Sequence, residues 1–418
     1  MSESTTNNKN CVVIGASHAG VNFAFALRRE GWQGSITMVD IDPTLPYHRP
    51  PLSKAYLTSS DSIEKNLLKS EESYVKENIN LKLGVWVDAI NRENKKVVLA
   101  DGTSLGYDKL VIATGARPIM PPIPGLDTAK NSFALRSAAD VANIRKTVVE
   151  NVGLKVVVIG GGYIGLETAA SLKKMGAEVV VLERESRTLA RVTAPEMSLF
   201  FQKLHAEHGV AVLTEKNVVS IESNGNRNIV VCSDGTNYEA DMIVVGVGIH
   251  VNKELAEKAG LTIENGIQVN EMAQTSDKDI YAIGDCTFHH NPHYKRHIRL
   301  ESVQNAVDQA KIAAAAINGK VCAYNSLPWF WSDQYDVKLQ MVGLSQDYDD
   351  VVVRKEADKE NCFSVWYFKG DTLLAVDAVN NAKAYVYGTK FIKGGEKLDK
   401  SKLGDPTAEF KPANLIAQ

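Results

Sequence analysis

The chain carries the stretch Gly160-Gly161-Gly162-Tyr163-Ile164-Gly165 directly after the apolar run 156–159, where a buried strand is expected to turn into a helix. Glycines at its first, third and sixth places let the backbone pass close to a pyrophosphate, whose oxygens the N–H groups at the helix start can hold. Leu182-Glu183 follows at the end of the next expected strand, at the spacing where a carboxylate meets a ribose 2′-OH. This second fingerprint therefore predicts a dinucleotide-binding βαβ unit over about 155–184.

A less regular copy, the first fingerprint, lies near the start of the chain as Gly15-Ala16-Ser17-His18-Ala19-Gly20, after the apolar run 11–14. Ser17 replaces the middle glycine, and its hydroxyl can bond a phosphate oxygen. A helix is expected over 21–29, and either Asp40 or Asp42, after the next strand, can meet the ribose. One such site binds one dinucleotide, so two sites predict that electrons pass from one bound dinucleotide to the other.

Glu183 also bears on the choice of dinucleotide. A carboxylate at this place accepts hydrogen bonds from a free ribose 2′-OH and repels a 2′-phosphate, which favours NADH over NADPH. The adjacent Arg184 weakens this preference.

Length and composition are typical of a soluble globular protein with two or three domains, since 418 residues with 44% hydrophobic and 23% charged content can build several cores. A net charge of -3 is too small to predict a nucleic-acid or acidic-membrane partner. Apolar runs stay shorter than the roughly 18 residues that span a bilayer. The polar segment 1–10 is unlike a signal peptide, so we expect a cytoplasmic protein.

The cysteines and histidines offer no recognisable metal pattern. Four histidines crowd together at 289, 290, 293 and 297, but their spacing fits no standard zinc site, so no metal is expected. The five cysteines are scattered without a CxxC pair, which argues against zinc and a redox disulfide. A reducing cytoplasm fits this usage. They are Cys11, Cys232, Cys286, Cys322 and Cys362.

The order of strand and helix patterns indicates the fold class. Alternating patterns from Cys11 onward are typical of α/β layers with a parallel sheet. Four prolines within 118–124 are typical of a linker between domains. From about 327 onward, alternating apolar residues predict an antiparallel sheet.

Three further features have both a functional and an ordinary interpretation. Lys54 ends a Pro-rich loop and Glu167 follows the second fingerprint, so facing cofactors would bring them together, although each can be a surface charge. Asp285 ends an expected strand, where a carboxylate can bond a flavin side chain or simply close a turn. The aromatic cluster 329–331 is typical of core packing when taken alone.

Taken together, these residues resemble the FAD- and NADH-dependent ferredoxin reductases that supply bacterial oxygenases. The resemblance extends over about 12–411, nearly the whole chain. Its most specific stretches are Arg49-Pro50-Pro51-Leu52-Ser53-Lys54, Ala113-Thr114-Gly115, the second fingerprint with Leu166-Glu167, Val192-Thr193-Ala194-Pro195, Ile283-Gly284-Asp285-Cys286 and the run 328–335.

The resemblance implies an α/β fold similar to that of glutathione reductase, with two Rossmann-type dinucleotide-binding domains plus an α+β C-terminal domain. We predict a discontinuous FAD-binding domain over 8–115 and 248–326. The NAD-binding domain is expected over 116–247 and the C-terminal domain over 327–418.

The resemblance also assigns roles to residues. The first fingerprint is expected to bind FAD and the second NADH. Lys54 and Glu167 match a pair beside the flavin's reactive edge, and Trp331 matches a tryptophan next to the isoalloxazine ring, so these three are the predicted catalytic residues. Whether Trp331 carries electrons or only shields the ring stays open. The predicted cofactor-binding residues are Gly15, Ser17, Ala19, Gly20, Asp40, Asp42, Arg49, Lys54, Val87, Thr114, Gly115, Arg136, Gly160, Gly162, Ile164, Gly165, Glu183, Gly248, Asp285 and Val303.

The expected reaction passes electrons from NADH through FAD to an iron–sulfur ferredoxin. This partner is expected to be acidic, with Lys311 and Lys338 as candidate docking residues on a monomer or weak homodimer. Disulfide reductases of this fold carry a redox cysteine soon after the first βαβ unit, whereas no cysteine lies between Cys11 and Cys232. The alternatives are an NADH oxidase, a rubredoxin or nitrite reductase component, and a flavin-binding signalling protein resembling apoptosis-inducing factor.

Overall fold

The computed structural model describes residues 9–151, 153–225, 227–357 and 359–417, so most of the polar segment 1–10 lies outside the described residues. The strands are β1 (Asn10–Ile14), β2 (Ser35–Asp40), β3 (Ile79–Leu83), β4 (Val87–Asn91), β5 (Lys96–Leu99), β6 (Ser104–Gly106), β7 (Lys109–Ile112), β8 (Ala116–Pro118), β9 (Ser132–Ala134), β10 (Lys155–Ile159), β11 (Glu178–Leu182), β12 (Ala211–Leu213), β13 (Val218–Asn224), β14 (Arg227–Cys232), β15 (Asn237–Ala240), β16 (Met242–Val245), β17 (Ile249–Val251), β18 (Ile263–Glu264), β19 (Gly266–Val269), β20 (Ile280–Ala282), β21 (Thr287–Asn291), β22 (Arg296–Ile298), β23 (Trp329–Gln334), β24 (Val337–Gly343), β25 (Asp350–Lys355), β26 (Phe363–Lys369) and β27 (Thr372–Val379). The helices are α1 (His18–Arg29), α2 (Ala55–Thr58), α3 (Glu71–Lys76), α4 (Ala138–Glu150), α5 (Tyr163–Lys174), α6 (Pro195–Glu207), α7 (Glu254–Lys258), α8 (Val303–Ile317), α9 (Ala382–Gly394), α10 (Lys400–Gly404) and α11 (Pro412–Leu415). Short 3-10 turns span Pro50–Ser53, Ile63–Asn66 and Gly284–Cys286.

The chain forms two compact units. The first contains the described residues up to His48, with Ser62–Arg117 and His250–Pro328. The second contains Arg49–Asp61, Pro118–Ile249 and the described residues from Trp329 onward. The three-domain division stays a prediction; it assigns residues 49–61 to the FAD-binding domain, whereas these residues belong to the second compact unit. Within the described ranges, we find no helix with the length and apolar character needed to cross a membrane.

The first unit is built on a parallel five-stranded sheet in the order β20-β7-β1-β2-β3. Central strand β1 is apolar and buried beyond its first residue, as expected for a strand covered on both faces. Helices α1 and α8 pack against each other on one face, where their alanines allow a close approach. The sheets β4-β5-β6 and β18-β19-β21-β22 complete this unit.

The second unit repeats this arrangement with a parallel sheet in the order β12-β11-β10-β16-β9. The β-branched run of β10, Lys155–Ile159, is buried beyond its first residue and lies at the centre of the sheet. The segment from Trp329 onward forms an antiparallel sheet in the order β23-β24-β27-β26-β25, as its alternating pattern predicts. A small sheet, β13-β14-β15, also belongs to this unit.

One boundary differs from the sequence-based expectation. Helix α1 begins at His18 and not at Val21, so the helix includes the last residues of the first fingerprint. Gly20 makes this possible, because a Cβ there would overlap the carbonyl oxygen of Gly15. The backbone thus starts its helix closer to the strand end than hydrophobic periodicity alone indicates.

Candidate functional site

The first fingerprint makes a tight turn at Gly15, directly after β1. Gly15 has a φ of +107°, which disfavours other residues. A Cβ here would overlap the carbonyl oxygen of Ala113 at the end of β7. The N–H of Gly15 donates to the carbonyl oxygen of Val39 over 2.8 Å. Glycine is therefore required by both dihedral angle and space, as in a turn built for phosphate approach.

Ser17 occupies the place of the middle glycine without backbone strain. It is the N-cap of α1 with a φ of −106°, an ordinary value for any residue. At the corresponding place in the second fingerprint, Gly162 also has a negative φ, −79°. The serine therefore leaves the turn intact, and its effect on a phosphate depends on its side chain alone.

The two candidate ribose acids of the first unit have different surroundings. The Asp40 carboxylate accepts hydrogen bonds from the backbone N–H groups of Ala16 and Asp42. Asp42 accepts from Thr44 N–H (3.0 Å) and from the hydroxyl of Tyr47 (2.7 Å). Asp40 thus lies against the fingerprint, whereas Asp42 shapes the loop that follows it.

The turn that contains Asp285 packs against the first fingerprint. A Cβ at Gly284 would lie 3.1 Å from the Cβ of Ala19. The side-chain oxygen of Gln309, on α8, accepts from Gly284 N–H over 2.7 Å and holds this turn. The structure therefore brings Asp285 near the fingerprint, on the same side as Val303 at the start of α8.

Three other predicted FAD residues also lie in the first unit. Val87 is buried in the apolar cluster that includes Ile14 and Val39, on the strands beside the fingerprint. Thr114 and Gly115 follow β7, where the Thr114 hydroxyl donates to the Asn252 carbonyl oxygen over 2.7 Å. These contacts position Thr114 and Gly115 just beyond the strand end that faces Gly15.

The second fingerprint reproduces this geometry in the second unit. Gly160 has a φ of +109°, and a Cβ there would overlap the carbonyl oxygen of Gly246 after β16. Its N–H donates to Leu182 over 2.8 Å. The N–H of Gly161 donates to Glu183 Oε2 over 2.6 Å. Apart from its chain neighbours, no atom of the described residues lies within 4 Å of the place of a Cβ on Gly162, so the backbone is open to a ligand there.

Three other predicted cofactor-binding residues lie in the same unit, and two of them, Ile164 and Gly248, are exposed. Ile164, in the first turn of α5, is 45% exposed and therefore available to a ligand. Gly248 follows β16 with a φ of +118°, and its carbonyl oxygen accepts from Ile119 N–H. Gly165 lies against Gly160, as Gly20 lies against Gly15.

Lys54 and Glu167 form an ion pair in the second unit. Lys54 Nζ lies 2.6 Å from Glu167 Oε2, and Glu167 is only 2% exposed. The hydroxyl of Ser53 donates to the same carboxylate oxygen over 2.6 Å, and that of Ser332 donates to Oε1 over 2.6 Å. Lys54 also donates to the Pro50 carbonyl oxygen. This buried negative charge thus has a cationic partner and two further donors, which offset its desolvation.

The spacing of α5 explains why the Pro-rich loop reaches Glu167. Glu167 and Ser171 are four residues apart, so they lie on the same face of the helix. Ser171 donates to the Ser53 carbonyl oxygen over 2.7 Å, while Glu167 holds Ser53 and Lys54 by their side chains. The 3-10 turn Pro50–Ser53 directs these two side chains toward the helix.

Arg49 and Arg136, two predicted FAD contacts, are adjacent in the second unit. Arg49 donates to the Arg136 carbonyl oxygen over 2.8 Å. Arg136 precedes α4, whose first turn has a capping box formed by Ser137 and Asp140. The Arg49 guanidinium is thereby held against the backbone just before α4, and a guanidinium at this place is suited to holding an anion.

Trp331 lies on β23 within an aromatic cluster. It is half-buried, and its ring centroid is 5.6 Å from that of Trp329, which is 36% exposed. Phe330 contacts Tyr163 of the second fingerprint, with centroids 5.4 Å apart. Side chains alternate along a strand, so Trp331 points away from the face that presents Ser332 to Glu167.

The candidate docking lysines lie in separate units. Lys311, on α8, is 60% exposed and 3.6 Å from Asp308. Lys338 is exposed on β24. All five cysteines are free thiols, and burial raises the pKa of Cys286 to about 11, so this thiol is a poor nucleophile at neutral pH.

Sequence reasoning missed Ser53, Ser332, Gln334 and His205, which are buried and bonded around Glu167. Ser332 and Gln334 alternate with Trp331 and Asp333 along β23, so strand periodicity could have assigned them to one face. No local pattern indicates that His205, on α6, bonds Gln334, because that contact joins distant parts of the chain.

Comparison with known proteins identifies the family. The family model described as pyridine nucleotide-disulphide oxidoreductase matches residues 9–310, and the one described as reductase C-terminal matches residues 329–414. The chain therefore belongs to the pyridine nucleotide-disulphide oxidoreductase family.

Individual relatives match along nearly the whole chain. Putidaredoxin reductase CamA of Pseudomonas putida is 42% identical over 409 residues, which cover 97% of this chain and 96% of that protein. Rhodocoxin reductase of Rhodococcus erythropolis is 40% identical over 403 residues, covering 96% and 93%. Among solved structures, the covalent putidaredoxin reductase–putidaredoxin complex matches with a TM-score of 0.91 and 42% identity, covering 96% of this chain and 97% of the other.

These matches confirm the predicted resemblance and the α/β fold class of glutathione-reductase type. The protein is an oxidoreductase, and its cofactors are FAD and NAD(H), as predicted. The roles of individual residues stay predictions.

Proposed function

We propose that this protein is an NADH-dependent ferredoxin reductase, which passes electrons from NADH through FAD to an iron–sulfur ferredoxin that supplies an oxygenase. The observation that carries the proposal is the presence of two fingerprints of matching backbone geometry in one chain. Relatives named as reductases of putidaredoxin and rhodocoxin support it. FAD supplies the chemistry of accepting an electron pair and releasing electrons singly.

The first unit offers the residues that would hold FAD. The Gly15 turn and the start of α1 suit its pyrophosphate, and Asp40 suits the ribose. The turn at Asp285, packed on the fingerprint through Gly284 and Ala19, suits the flavin's polyol chain.

The second unit offers the residues that would hold NADH. The open space at Gly162 suits its pyrophosphate, and Glu183 suits the ribose 2′-OH. The preference for NADH over NADPH rests on Glu183, since a 2′-phosphate beside this carboxylate would be repelled. The side chain of Arg184 is 68% exposed and forms an ion pair with Glu185.

The ion pair gives the second unit its chemical character. A lysine ammonium held by Glu167 at a fixed place would favour negative charge on reduced flavin. The three donors on Glu167 restrict its motion, so Lys54 keeps one orientation while the substrate ring is bound.

The partner belongs to the same proposal. We expect an acidic ferredoxin that binds near Lys311 and Lys338, on a monomer or weak homodimer. A cytoplasmic location is supported by the five free thiols.

The purified protein tests this proposal directly. We expect a yellow protein whose flavin absorbance bleaches on mixing with NADH and far more slowly with NADPH in a stopped-flow experiment. Cytochrome c reduction should then require an added iron–sulfur ferredoxin. Equal turnover with oxygen alone would instead identify an NADH oxidase, and preference for rubredoxin would identify a rubredoxin reductase. Slow turnover with a long-lived charge-transfer band would favour the signalling flavoprotein.

A further inference from the structure

A chain of buried hydrogen bonds runs from Glu167 through the interior of the second unit to Tyr335. Ser332 Oγ is 2.6 Å from Glu167 Oε1, and Gln334 Nε2 is 3.3 Å from Ser332 Oγ. His205 Nε2 is 2.8 Å from Gln334 Oε1, and the Tyr335 hydroxyl is 3.0 Å from His205 Nδ1. Glu167, Ser332, Gln334 and His205 are each at most 2% exposed.

The tautomer of His205 sets which group donates and which accepts in each of these hydrogen bonds. Burial, with a smaller contribution from the nearby His208, lowers its pKa to about 4, although the bond to Gln334 acts in the opposite direction. The ring is therefore neutral at neutral pH and has one N–H. Gln334 Oε1 faces Nε2, and an amide oxygen can only accept, so the single N–H lies on Nε2 and donates to Gln334. Nδ1 is then an acceptor, and the Tyr335 hydroxyl donates to it.

The donors of the next two hydrogen bonds, toward Ser332 and Glu167, follow from this tautomer. Since the Gln334 oxygen accepts from His205, its amide N–H₂ faces Ser332 and donates to it. Ser332 has a single O–H, which is then directed to Glu167. With the amide reversed, Ser332 would donate to Gln334, and the carboxylate would lose a donor. The histidine thus decides whether Glu167 Oε1 receives a hydrogen bond.

Tyr335 is the first residue of the two-residue turn that joins β23 to β24, where hairpin turns commonly use a positive φ. Tyr335 has a φ of +56°, in the left-handed region that is unfavourable for an aromatic residue. This conformation is compatible with the bond to His205 and with stacking on His208, whose ring centroid is 3.7 Å away.

We propose that His205 is a positioning residue for Glu167, which acts through Gln334 and Ser332 to fix the carboxylate that holds Lys54. This inference rests on the proposed function, in which Lys54 lies beside the flavin. The chain orients groups and does not conduct protons, because an amide passes a proton only by forming its unfavourable imidic acid tautomer. It also fixes β23, the strand that carries Trp331.

The first test examines the hydrogen-bond chain by NMR and does not depend on catalysis. In the ¹⁵N-histidine NMR spectrum of the holoenzyme, His205 should show the neutral Nε2–H tautomer from pH 5.5 to 8. Gln334→Leu should shift this resonance, whereas His250→Gln, at an exposed histidine bonded to Glu254, should not. A protonated or Nδ1–H His205 in the parent protein would overturn the proposal.

The second test uses the reduction potential of bound FAD, measured by equilibration with dyes and a chemical reductant, so that NADH is not needed. His205→Leu should change the equilibrium constant for flavin reduction about tenfold against reduction, the effect of losing one hydrogen bond to a charged group. For a two-electron couple this is a potential lower by about 30 mV. His205→Gln, which keeps an acceptor and a donor, should recover most of the difference.

A double-mutant cycle separates positioning from general destabilisation. In the Ser332→Ala background, His205→Leu should leave the equilibrium constant for flavin reduction within about twofold of that of Ser332→Ala alone, since both remove the same donor. Independent, multiplicative effects, or no change of potential in His205→Leu, would contradict the proposal. Failure of NADH to reduce the parent flavin would contradict the proposed function only, because neither test above depends on NADH.

Discussion

In the first fingerprint the N–H of Gly15 donates to Val39, and in the second that of Gly160 donates to Leu182, both over 2.8 Å. In each turn, the next N–H donates to an acid directly after that strand residue, Asp40 or Glu183. The two turns have nearly equal positive φ angles, +107° and +109°. One backbone frame is therefore used twice, with different side chains on it.

The two fingerprints are followed by different side chains two residues beyond their last glycine. In the first unit this place is Asn22, whose side chain donates to the His18 carbonyl oxygen within its own helix. In the second unit it is Glu167, which holds Lys54 and three elements of that unit together. The two turns thus share the backbone geometry that suits a dinucleotide, whereas one side chain determines whether a buried charge lies beside it.

Replacing the turn glycines should have the largest effect on cofactor binding and should distinguish the proposed FAD site from the proposed NADH site. A Cβ at Gly15 or Gly160 would overlap a strand carbonyl oxygen, so the turn cannot keep its geometry. We expect the purified Gly15→Ala variant to bind FAD at least about tenfold more weakly than the parent protein. Gly160→Ala should retain FAD while its KM for NADH rises at least about tenfold. The ratio of visible to ultraviolet absorbance and an NADH titration measure these effects.

Each of these variants has a matched control. Gly31 and Gly176 follow α1 and α5 with φ angles of +99° and +94°. In the part of the chain that the structure describes, no atom beyond their chain neighbours lies within 4 Å of a Cβ there. Alanine there should lower stability through backbone strain and leave cofactor binding unchanged. Loss of FAD from Gly160→Ala, or full FAD binding by Gly15→Ala, would reverse the assignment of the two sites.

Comparing the two fingerprints residue by residue favours Asp40 over Asp42 as the acid that meets the FAD ribose. Asp40 occupies the place of Glu183, and Asp42 that of Glu185. We expect Asp40→Asn to weaken FAD binding about tenfold, the effect of losing a hydrogen bond with a charged acceptor. Asp42→Asn should weaken it less than about threefold, as measured by apoprotein reconstitution followed by fluorescence. An opposite order would show that the ribose lies against the loop after β2.

The second fingerprint is also connected by hydrogen bonds to Tyr367 and Asp377. Its Gly161 carbonyl oxygen accepts from Leu189 N–H, and the same loop ends at Ala194, whose N–H donates to the Tyr367 hydroxyl. Tyr367 in turn donates to Asp377 over 2.5 Å. Burial raises the pKa of Asp377 to about 7, although the bond from Tyr367 lowers it. The second fingerprint is thus connected to a buried carboxyl that titrates near neutrality.

This carboxyl predicts a pH-dependent stability. Between about pH 4 and 7 the folded state keeps the Asp377 proton while the unfolded chain loses it, so stability falls as pH rises through this window. Asp377→Asn stays neutral, so its melting temperature relative to the parent should rise from pH 4 to 8. Each 1 kcal/mol corresponds to roughly 2–4 °C. Asp371→Asn, at an exposed surface pair, should show no such trend; an equal trend would show that Asp377 is not responsible.

The smallest effect is expected at the residue where the two fingerprints differ in sequence. Ser17 has an ordinary φ, so the turn does not require glycine at this place. Ser17→Gly should change the dissociation constant for FAD less than about threefold, near the effect of one weak hydrogen bond. A tenfold loss would show that the Ser17 hydroxyl, and not the backbone, holds the phosphate.

The sequence by itself predicted the two glycine turns and the succession of strand, turn and helix around each of them. Each turn needs glycines at short, fixed spacing after a buried strand, and all these requirements are local. Gly15 and Gly160, which the pattern singled out, both have the positive φ angles that such a turn uses. Local spacing did not distinguish Asp40 from Asp42, because both follow the same strand.

Only the tertiary structure decided how Glu167 is surrounded. The side chains of Ser53, Lys54 and Ser332 converge on it from more than a hundred residues away in sequence. His205 joins the same network through Gln334. A buried charge is satisfied by whichever donors packing brings within about 3 Å, and no periodicity in the chain encodes that proximity.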